Sequence, residues 1–309
     1  MSIKAAVVGV GYLGRHHARI YADLEGVELV GVVDSDPEAR ASVAARCGCK
    51  AFADYHDVLD DVQALSIATP TSTHHEIALA CLRAGKDLLV EKPLASTVRE
   101  ADALVEEADK RGCVLQVGHL ERYNPAVVAV AGLVREPEFI ESERVSPFLG
   151  RGTDVDVTLD LMIHDVDIVT SLLGGAEVAD VRVVGAKVLT DKVDVVKAWV
   201  DFEGGVSALI TASRISRAKQ RLLKIYQKDG FLLLNYQDLR ITRHFKNGTG
   251  DIRTEVMDVE AREPLREELS DFIQCVRWRR RPRVSGREGR NALRVTLDIT
   301  SKIRNASGI

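Results

Sequence analysis

Three glycines, Gly9, Gly11 and Gly14, stand between the apolar run Ala5-Ala6-Val7-Val8 and a helix pattern over residues 15–24. A strand that turns into a helix through this G-x-G-x-x-G spacing is a dinucleotide fingerprint. The glycines allow a tight turn and let a pyrophosphate approach backbone N–H groups at the positive end of a helix. Tyr12 and Leu13 complete the turn as candidate cofactor contacts. Asp34 ends the next apolar run, 20 residues after Gly14, where a carboxylate can accept hydrogen bonds from ribose hydroxyls. It would repel a 2′-phosphate, and Ser35 rather than an arginine follows, so NAD is expected over NADP.

The alternation continues with a helix pattern at 38–47, strands at 64–68 and 87–90, and a helix at 76–84 between them. Strands separated by helices pair in parallel, with helices on both faces. After about residue 120 the pattern changes to successive strand candidates at 138–146, 181–189, 195–202, 206–213, 222–227, 231–236 and 239–245. Several are joined by the turn sequences Glu203-Gly204-Gly205, Asp229-Gly230 and Asn247-Gly248, which supply the positive φ of tight hairpins. Helix patterns cover 159–173, 267–277 and 289–305. The expected fold class is α/β. A doubly wound parallel Rossmann sheet over 1–120 precedes an α/β domain with an open, mainly antiparallel sheet over 121–309, whose last helix is free to pack back on the first domain.

A chain of 309 residues, 46% of them hydrophobic, can fill two cores, which excludes disorder. Its apolar runs fall far short of the roughly 18 residues needed to cross a bilayer, and Met1-Ser2-Ile3-Lys4 leads directly into a strand. A cytoplasmic location with no membrane partner is expected. Five cysteines without framework spacing fit a reducing compartment, and a net charge of −4 offers nucleic acid no general attraction. Arg279-Arg280-Arg281 is expected to be a solvated loop between helices. Neither Cys47-Gly48-Cys49 nor His74-His75-Glu76 has the second ligand pair a metal site needs, so no metal is expected.

Ligands of doubly wound sheets lie outside the carboxyl ends of the strands. The loop Thr69-Pro70-Thr71-Ser72-Thr73-His74 would overhang the cofactor there, with Thr69, Pro70, Thr71 and His74 as candidate contacts. Glu91-Lys92-Pro93 follows the next strand, where Lys92 can carry positive charge beside a developing alkoxide. In the segment Leu159-Asp160-Leu161-Met162-Ile163-His164-Asp165-Val166-Asp167, helical spacing puts Asp160, His164, Asp167 and Ser171 on one narrow stripe of an otherwise apolar helix. A carboxylate four residues before a histidine can orient the imidazole and favour its charged form, which suits a general base taking a proton from an alcohol.

These motifs together resemble the family named after glucose–fructose oxidoreductase and inositol 2-dehydrogenase. The resemblance spans Gly9 to Gly14, Thr69-Pro70 with His74, Ala84-Gly85-Lys86 leading to Glu91-Lys92-Pro93, Asp160-x-x-x-His164-x-x-Asp167, and the tail segments Glu268 to Ile273 and Ser285 to Leu293. It implies a Rossmann domain, a second domain that forms homodimers or homotetramers through its sheet, and a cis peptide before Pro93. It also implies a catalytic trio at Lys92, Asp160 and His164, with Glu91, Lys92 and His119 beside the cofactor. Gln116 to Pro125 and Gly152 to Val157 are most similar to a branch assigned as UDP-N-acetylglucosamine 3-dehydrogenase. That branch implies NAD-dependent oxidation of a sugar C3 hydroxyl to a ketone, with Arg122, Tyr123, Asn124, Arg151 and Arg214 joining Lys92, Asp160 and His164 around the substrate. Arginines suit a diphosphate because their planar forks bind it bidentately. Met162 stands where many relatives have glycine, which alters the pocket shape on which the substrate depends. The alternative reading is a dehydrogenase of a free polyol or sugar such as myo-inositol. A cofactor-binding sensor of the NAD/NADH ratio, from a different class, would need neither Lys92 nor His164.

Overall fold

The computed structural model describes residues 2–148, 150 and 155–307, without the side chains of the last two of these. Two compact units are present. The first comprises 1–120 and 263–290, the second 121–262 and 291–309.

In the first unit, β1 (Ile3–Val8), β2 (Val27–Val33), β3 (Lys50–Phe52), β4 (Ala64–Ile67), β5 (Asp87–Glu91) and β6 (Leu115–Gly118) form one sheet in the order β3-β2-β1-β4-β5-β6. All its pairings are parallel. The connecting helices are α1 (Gly14–Asp23), α2 (Pro37–Cys47), α3 (Thr71–Arg83) and α4 (Val98–Arg111). Reversal of strand order between β1 and β4 makes the crevice outside their carboxyl ends the place where a ligand binds in such sheets. α4 and β6 were not assigned from the sequence, although Thr97-x-x-Glu100 is a capping box. The Thr97 hydroxyl accepts from Glu100 N at 3.2 Å, and Glu100 Oε2 accepts from Thr97 N at 3.1 Å. α3 also begins five residues earlier than the apolar pattern suggests, so Thr71 to His74 form its first turn rather than a loop.

In the second unit, α5 (Pro125–Ala131) and β7 (Pro137–Val145) are followed by a π-helical segment at Thr158–Met162 that continues into α6 (Ile163–Leu172). Then come β8 (Val178–Ala186), β9 (Val195–Phe202), β10 (Ser207–Ser213), β11 (Gln220–Gln227), β12 (Gly230–Asn235), β13 (Arg240–Lys246) and β14 (Ile252–Asp258). The eight strands run in the order β14-β13-β12-β11-β7-β10-β9-β8 and are antiparallel except for the β7–β10 pair. β14 escaped the sequence pattern because it is an edge strand with almost no buried residue, so it shows no alternation of apolar and polar positions. On the inner face, Ile140, Ala198, Val200, Ala208, Ile210, Leu223, Ile225, Leu232 and Leu234 build a core with Val166 and Val169 of α6. The opposite face carries an aromatic row, Trp199-Phe139-Tyr226-Phe231-His244, with successive ring centroids 5.0–5.7 Å apart.

The chain closes with α7 (Pro264–Trp278) and α8 (Gly286–Ser307). Sequence order placed residues 263–290 with the second domain, whereas they belong to the first unit. The reason is the apolar face of α7: Leu265, Leu269, Phe272, Ile273 and Val276 are buried in one cluster with Ala5, Val7, Ile20 and Tyr21. Burying each large side chain contributes about 1.5–3 kcal/mol, enough to decide which unit holds the helix. Gln116 Nε2 adds a hydrogen bond to the Glu268 carbonyl at 3.1 Å. The Arg279–Arg281 loop is exposed, as expected of a solvated connection, but two of its guanidinium groups are engaged: Arg279 donates to Asp87 at 2.6 Å, and Arg281 to Glu288.

Candidate functional site

The three glycines of the first turn answer to different constraints. Gly9 has φ +85°, and a Cβ there would lie 2.8 Å from the Ala68 carbonyl. A Cβ on Gly14 would lie 1.7 Å from the Gly9 oxygen. The chain itself therefore demands both. Gly11 has no such neighbour: nothing in the protein lies within 4 Å of an added Cβ, and its φ is outside the left-handed region. Glycine at that position keeps space open for something outside the chain. α1 starts directly behind it without a side-chain cap and with no acid in its first turn, which leaves a positive helix end beside the opening. Tyr12 is 67% exposed at the rim, with the Arg15 guanidinium 5.1 Å from its ring centre.

Asp34 is held against the same turn. Its Oδ2 accepts from Val10 N at 2.7 Å and its Oδ1 from Asp36 N at 2.9 Å. A contact that sequence reasoning missed stands beside it: Arg40 Nη1 donates to the carbonyls of Asp34 and Ser35, 3.2 Å from each. Six residues beyond Asp34, on the first turn of α2, Arg40 places a cation next to the end of β2 that carries Asp34.

At the next strand end, Thr73 Oγ1 donates to the Pro70 carbonyl at 2.8 Å and lies 2.9 Å from Thr69 Oγ1, which ties the turn at Thr69, Pro70 and Thr71 together. His74 is buried, and its ring nitrogens lie 2.9 Å from the carbonyl oxygens of Pro93 and Thr69. The imidazole thus joins the Thr69 turn to the segment after Lys92, a main-chain role that the spacing did not foretell. Glu91 likewise turns inward. Its Oε1 lies 3.1 Å from Nε2 of the fully buried His17 on α1, and its Oε2 accepts from Lys92 N at 3.3 Å. A Cβ on Gly118 would lie 2.8 Å from Glu91 Oε2, so glycine in β6 makes room for this carboxylate. Lys92 is half-buried, the Lys92–Pro93 peptide is cis, and His119 lies buried just past β6.

In the second unit, the stripe expected on a regular helix is altered by the π-helical segment, which contains Asp160 and ends at Met162, two residues before His164. Asp160 and His164 are half-buried, whereas Asp167 is 3% exposed and its Oδ1 accepts from Arg122 Nη1 at 3.2 Å. Asn124 caps α5, accepting from Ala126 N at 3.0 Å, while Tyr123 beside it is buried. Arg214 is also buried: its Nη2 donates to the Val155 carbonyl at 2.6 Å and its Nε lies 3.8 Å from Asp194. Arg151 lies outside the described residues.

Between these positions runs a buried charge network that no local sequence pattern announces. Arg144 Nε donates to Asp165 Oδ2 at 2.6 Å, and Nη2 to Oδ1 at 3.3 Å. Its Nη1 donates to Glu121 Oε1 at 2.8 Å, the oxygen that also accepts from Arg221 at 2.8 Å. Arg144 and Arg221 are direct cross-strand neighbours, an arrangement that repels unless a carboxylate bridges it, as Glu121 does. Ser142 adds its hydroxyl to Asp165 at 2.7 Å. Burial alone would raise the Glu121 carboxyl, but Arg144 and Arg221 outweigh it and hold the group below its ordinary range.

Residues 3–119 match the oxidoreductase family with the NAD-binding Rossmann fold, and residues 128–233 match the GFO/IDH/MocA C-terminal domain. UDP-N-acetylglucosamine 3-dehydrogenase of Acidithiobacillus ferrooxidans is 39% identical over 306 residues, covering 96% of each chain. A solved structure of that organism's UDP-N-acetylglucosamine 3-dehydrogenase GnnA superposes with a TM-score of 0.94 at 36% identity, covering 99% of this chain and 98% of the other. The scyllo-inositol 2-dehydrogenase (NAD(+)) of Bacillus subtilis is 29% identical, covering 98% of this chain and 94% of its own.

Proposed function

This chain belongs to the GFO/IDH/MocA oxidoreductase family, and we propose that it oxidises the C3 hydroxyl of UDP-N-acetylglucosamine, or of a similar UDP-sugar, to a ketone with NAD. The near full-length likeness to a UDP-N-acetylglucosamine 3-dehydrogenase carries the reading. Bound NAD supplies the hydride acceptor. The open space at Gly11, the uncapped start of α1 and the Asp34 carboxylate fit its pyrophosphate and ribose, with Tyr12, Leu13, Ser35 and the Thr69–Thr71 turn around it. Asp34 favours NAD over NADP by repelling a 2′-phosphate.

His164 takes the proton from the sugar hydroxyl, Asp160 orients its imidazole, and Lys92 holds positive charge beside the oxygen as the alkoxide forms. Glu91 and His74 support Lys92 from the main-chain side. Arg122, Tyr123 and Arg151 bind the substrate, while Asn124 and Arg214, already engaged with the backbone, shape the surrounding segments.

The test is the appearance of reduced nicotinamide when the purified protein is given NAD with UDP-N-acetylglucosamine, N-acetylglucosamine, myo-inositol or scyllo-inositol. Turnover of the UDP-sugar is expected. Oxidation of an inositol with none of the UDP-sugar would replace the reading with the polyol alternative that the Bacillus subtilis relative favours.

The aromatic row on the outer face of the second unit's sheet supports association into a homodimer or homotetramer through that face. Light scattering on Tyr226→Asp should show a smaller species than the parent. Free thiols at all five cysteines fit a cytoplasmic location, and no helix among the described residues is long and apolar enough to cross a membrane.

A further inference from the structure

The Arg144 network lies next to both candidate substrate-binding segments of the second unit, and it touches one of their candidate residues: Asn124 Nδ2 donates to Glu121 Oε2 at 3.3 Å. Asp165 follows His164 directly on α6, and Glu121 directly precedes Arg122. Successive residues of an α-helix differ by about 100° in direction and 1.5 Å in rise, so a carboxylate anchored at 165 sets the direction in which His164 leaves the helix. The anchor is two-pronged, because Arg144 offers its planar fork to both oxygens of Asp165. A one-point contact would let the helix roll. A second tie joins the same two segments: Arg122 to Asp167, one residue beyond Glu121 in the first segment and two beyond Asp165 in the second.

Stability does not account for this arrangement. Arg144, Asp165 and Glu121 are almost wholly buried, and removing such charges from water costs about as much as their attraction returns. Apolar residues of the same volume commonly do as well or better. What apolar packing cannot reproduce is a directional, bidentate lock on the helix register. The network is charge-balanced, with Arg144 and Arg221 facing Asp165 and Glu121, so it fixes geometry without adding net charge.

We propose that Arg144, acting through Asp165, is a positioning residue that fixes the direction of the His164 imidazole, with Glu121 and Arg221 holding Arg144 in place. The proposal rests on the dehydrogenase reading for its catalytic consequence, though not for its structural one. Misplacing a reacting group by about 1 Å can cost on the order of 100-fold in rate.

Two variants test it. Asp165→Asn keeps the shape and removes the charge-assisted fork. Because a single change leaves Arg144 partly uncompensated, the double variant Arg144→Met/Asp165→Leu removes both charges and should fold with thermal stability equal to or above the parent's. In both, kcat should fall about 10- to 100-fold while the Kd for NAD stays within about twofold. A second readout needs no turnover: histidine-selective NMR of the full-length protein, with the His164 ring signals assigned by their loss in His164→Ala. Those signals should move and broaden in the double variant, while signals from His17 and His74 stay in place.

A stably folded double variant with parental kcat and unmoved His164 signals overturns the proposal. If the parent oxidises no alcohol but the His164 signals move as described, the positioning role stands and the dehydrogenase reading falls.

Discussion

Exchanging Gly11 and, separately, Gly14 for alanine divides what the fold requires from what the cofactor requires. In Gly14→Ala the new methyl would sit 1.7 Å from the Gly9 oxygen, where an ordinary contact is about 3.5 Å. Both partners are backbone, so no side chain can swing aside. The turn must open, and forced overpacking of this kind costs about 3 kcal/mol. At roughly 3 °C per kcal/mol, the melting temperature should drop by about 10 °C. In Gly11→Ala the methyl meets nothing within 4 Å, and the backbone already has a conformation open to alanine. Melting should be unchanged or rise by about 1–3 °C, because alanine narrows the unfolded ensemble. NAD affinity should nevertheless weaken about 10- to 100-fold, which corresponds to about 1.4–3 kcal/mol from a methyl in the pyrophosphate's path. Calorimetric titration with NAD and a thermal melt on each variant give all four numbers. A Gly11→Ala protein that binds NAD as tightly as the parent would show that the opening is not where the cofactor lies, and one that melts like Gly14→Ala would contradict the contact geometry.

His164→Ala should lower kcat about 10²- to 10⁴-fold with NAD binding intact, checked by steady-state kinetics and titration; equal rates would remove His164 as the base. Asp34→Ala should weaken NAD about tenfold and let Arg40 favour NADP, so the ratio of kcat/KM for the two cofactors should move toward NADP. Because the Glu121 carboxyl is held low in the folded protein, its stabilising contribution is complete above the ordinary carboxylate range and is lost as pH falls through the folded value. Urea midpoints measured between about pH 7 and pH 3 should therefore fall less steeply for Glu121→Gln than for the parent; parallel curves would refute the shift.

Features confined to a few consecutive residues were legible before any coordinates. The glycine turn, Asp34 at the end of β2, and the change from alternating strands and helices to successive hairpins depend on local φ, period and turn chemistry, all written in the sequence itself. The same holds for the segments bearing Lys92, Asp160 and His164. The π-helical insertion under Asp160 was not legible, since its apolar residues fit a regular helix equally well. Nor was β14, which buries too little to leave a pattern.

Which charges meet was decided only by the tertiary structure. Glu91 and His17 are 74 positions apart, and Arg144 joins carboxylates 23 and 21 positions away in opposite directions along the chain. The sequence offers Glu91 as a candidate cofactor contact, Arg214 as a candidate substrate contact and Asp165 as a charged neighbour of His164; the fold buries all three and commits each to a partner. It also carries α7 back to the first unit after more than a hundred residues in the second. Hydrophobic period and turn chemistry act over one or two turns of chain, whereas burying a charge succeeds only where a complementary group arrives, and that arrival is set by the packing of whole sheets and helices.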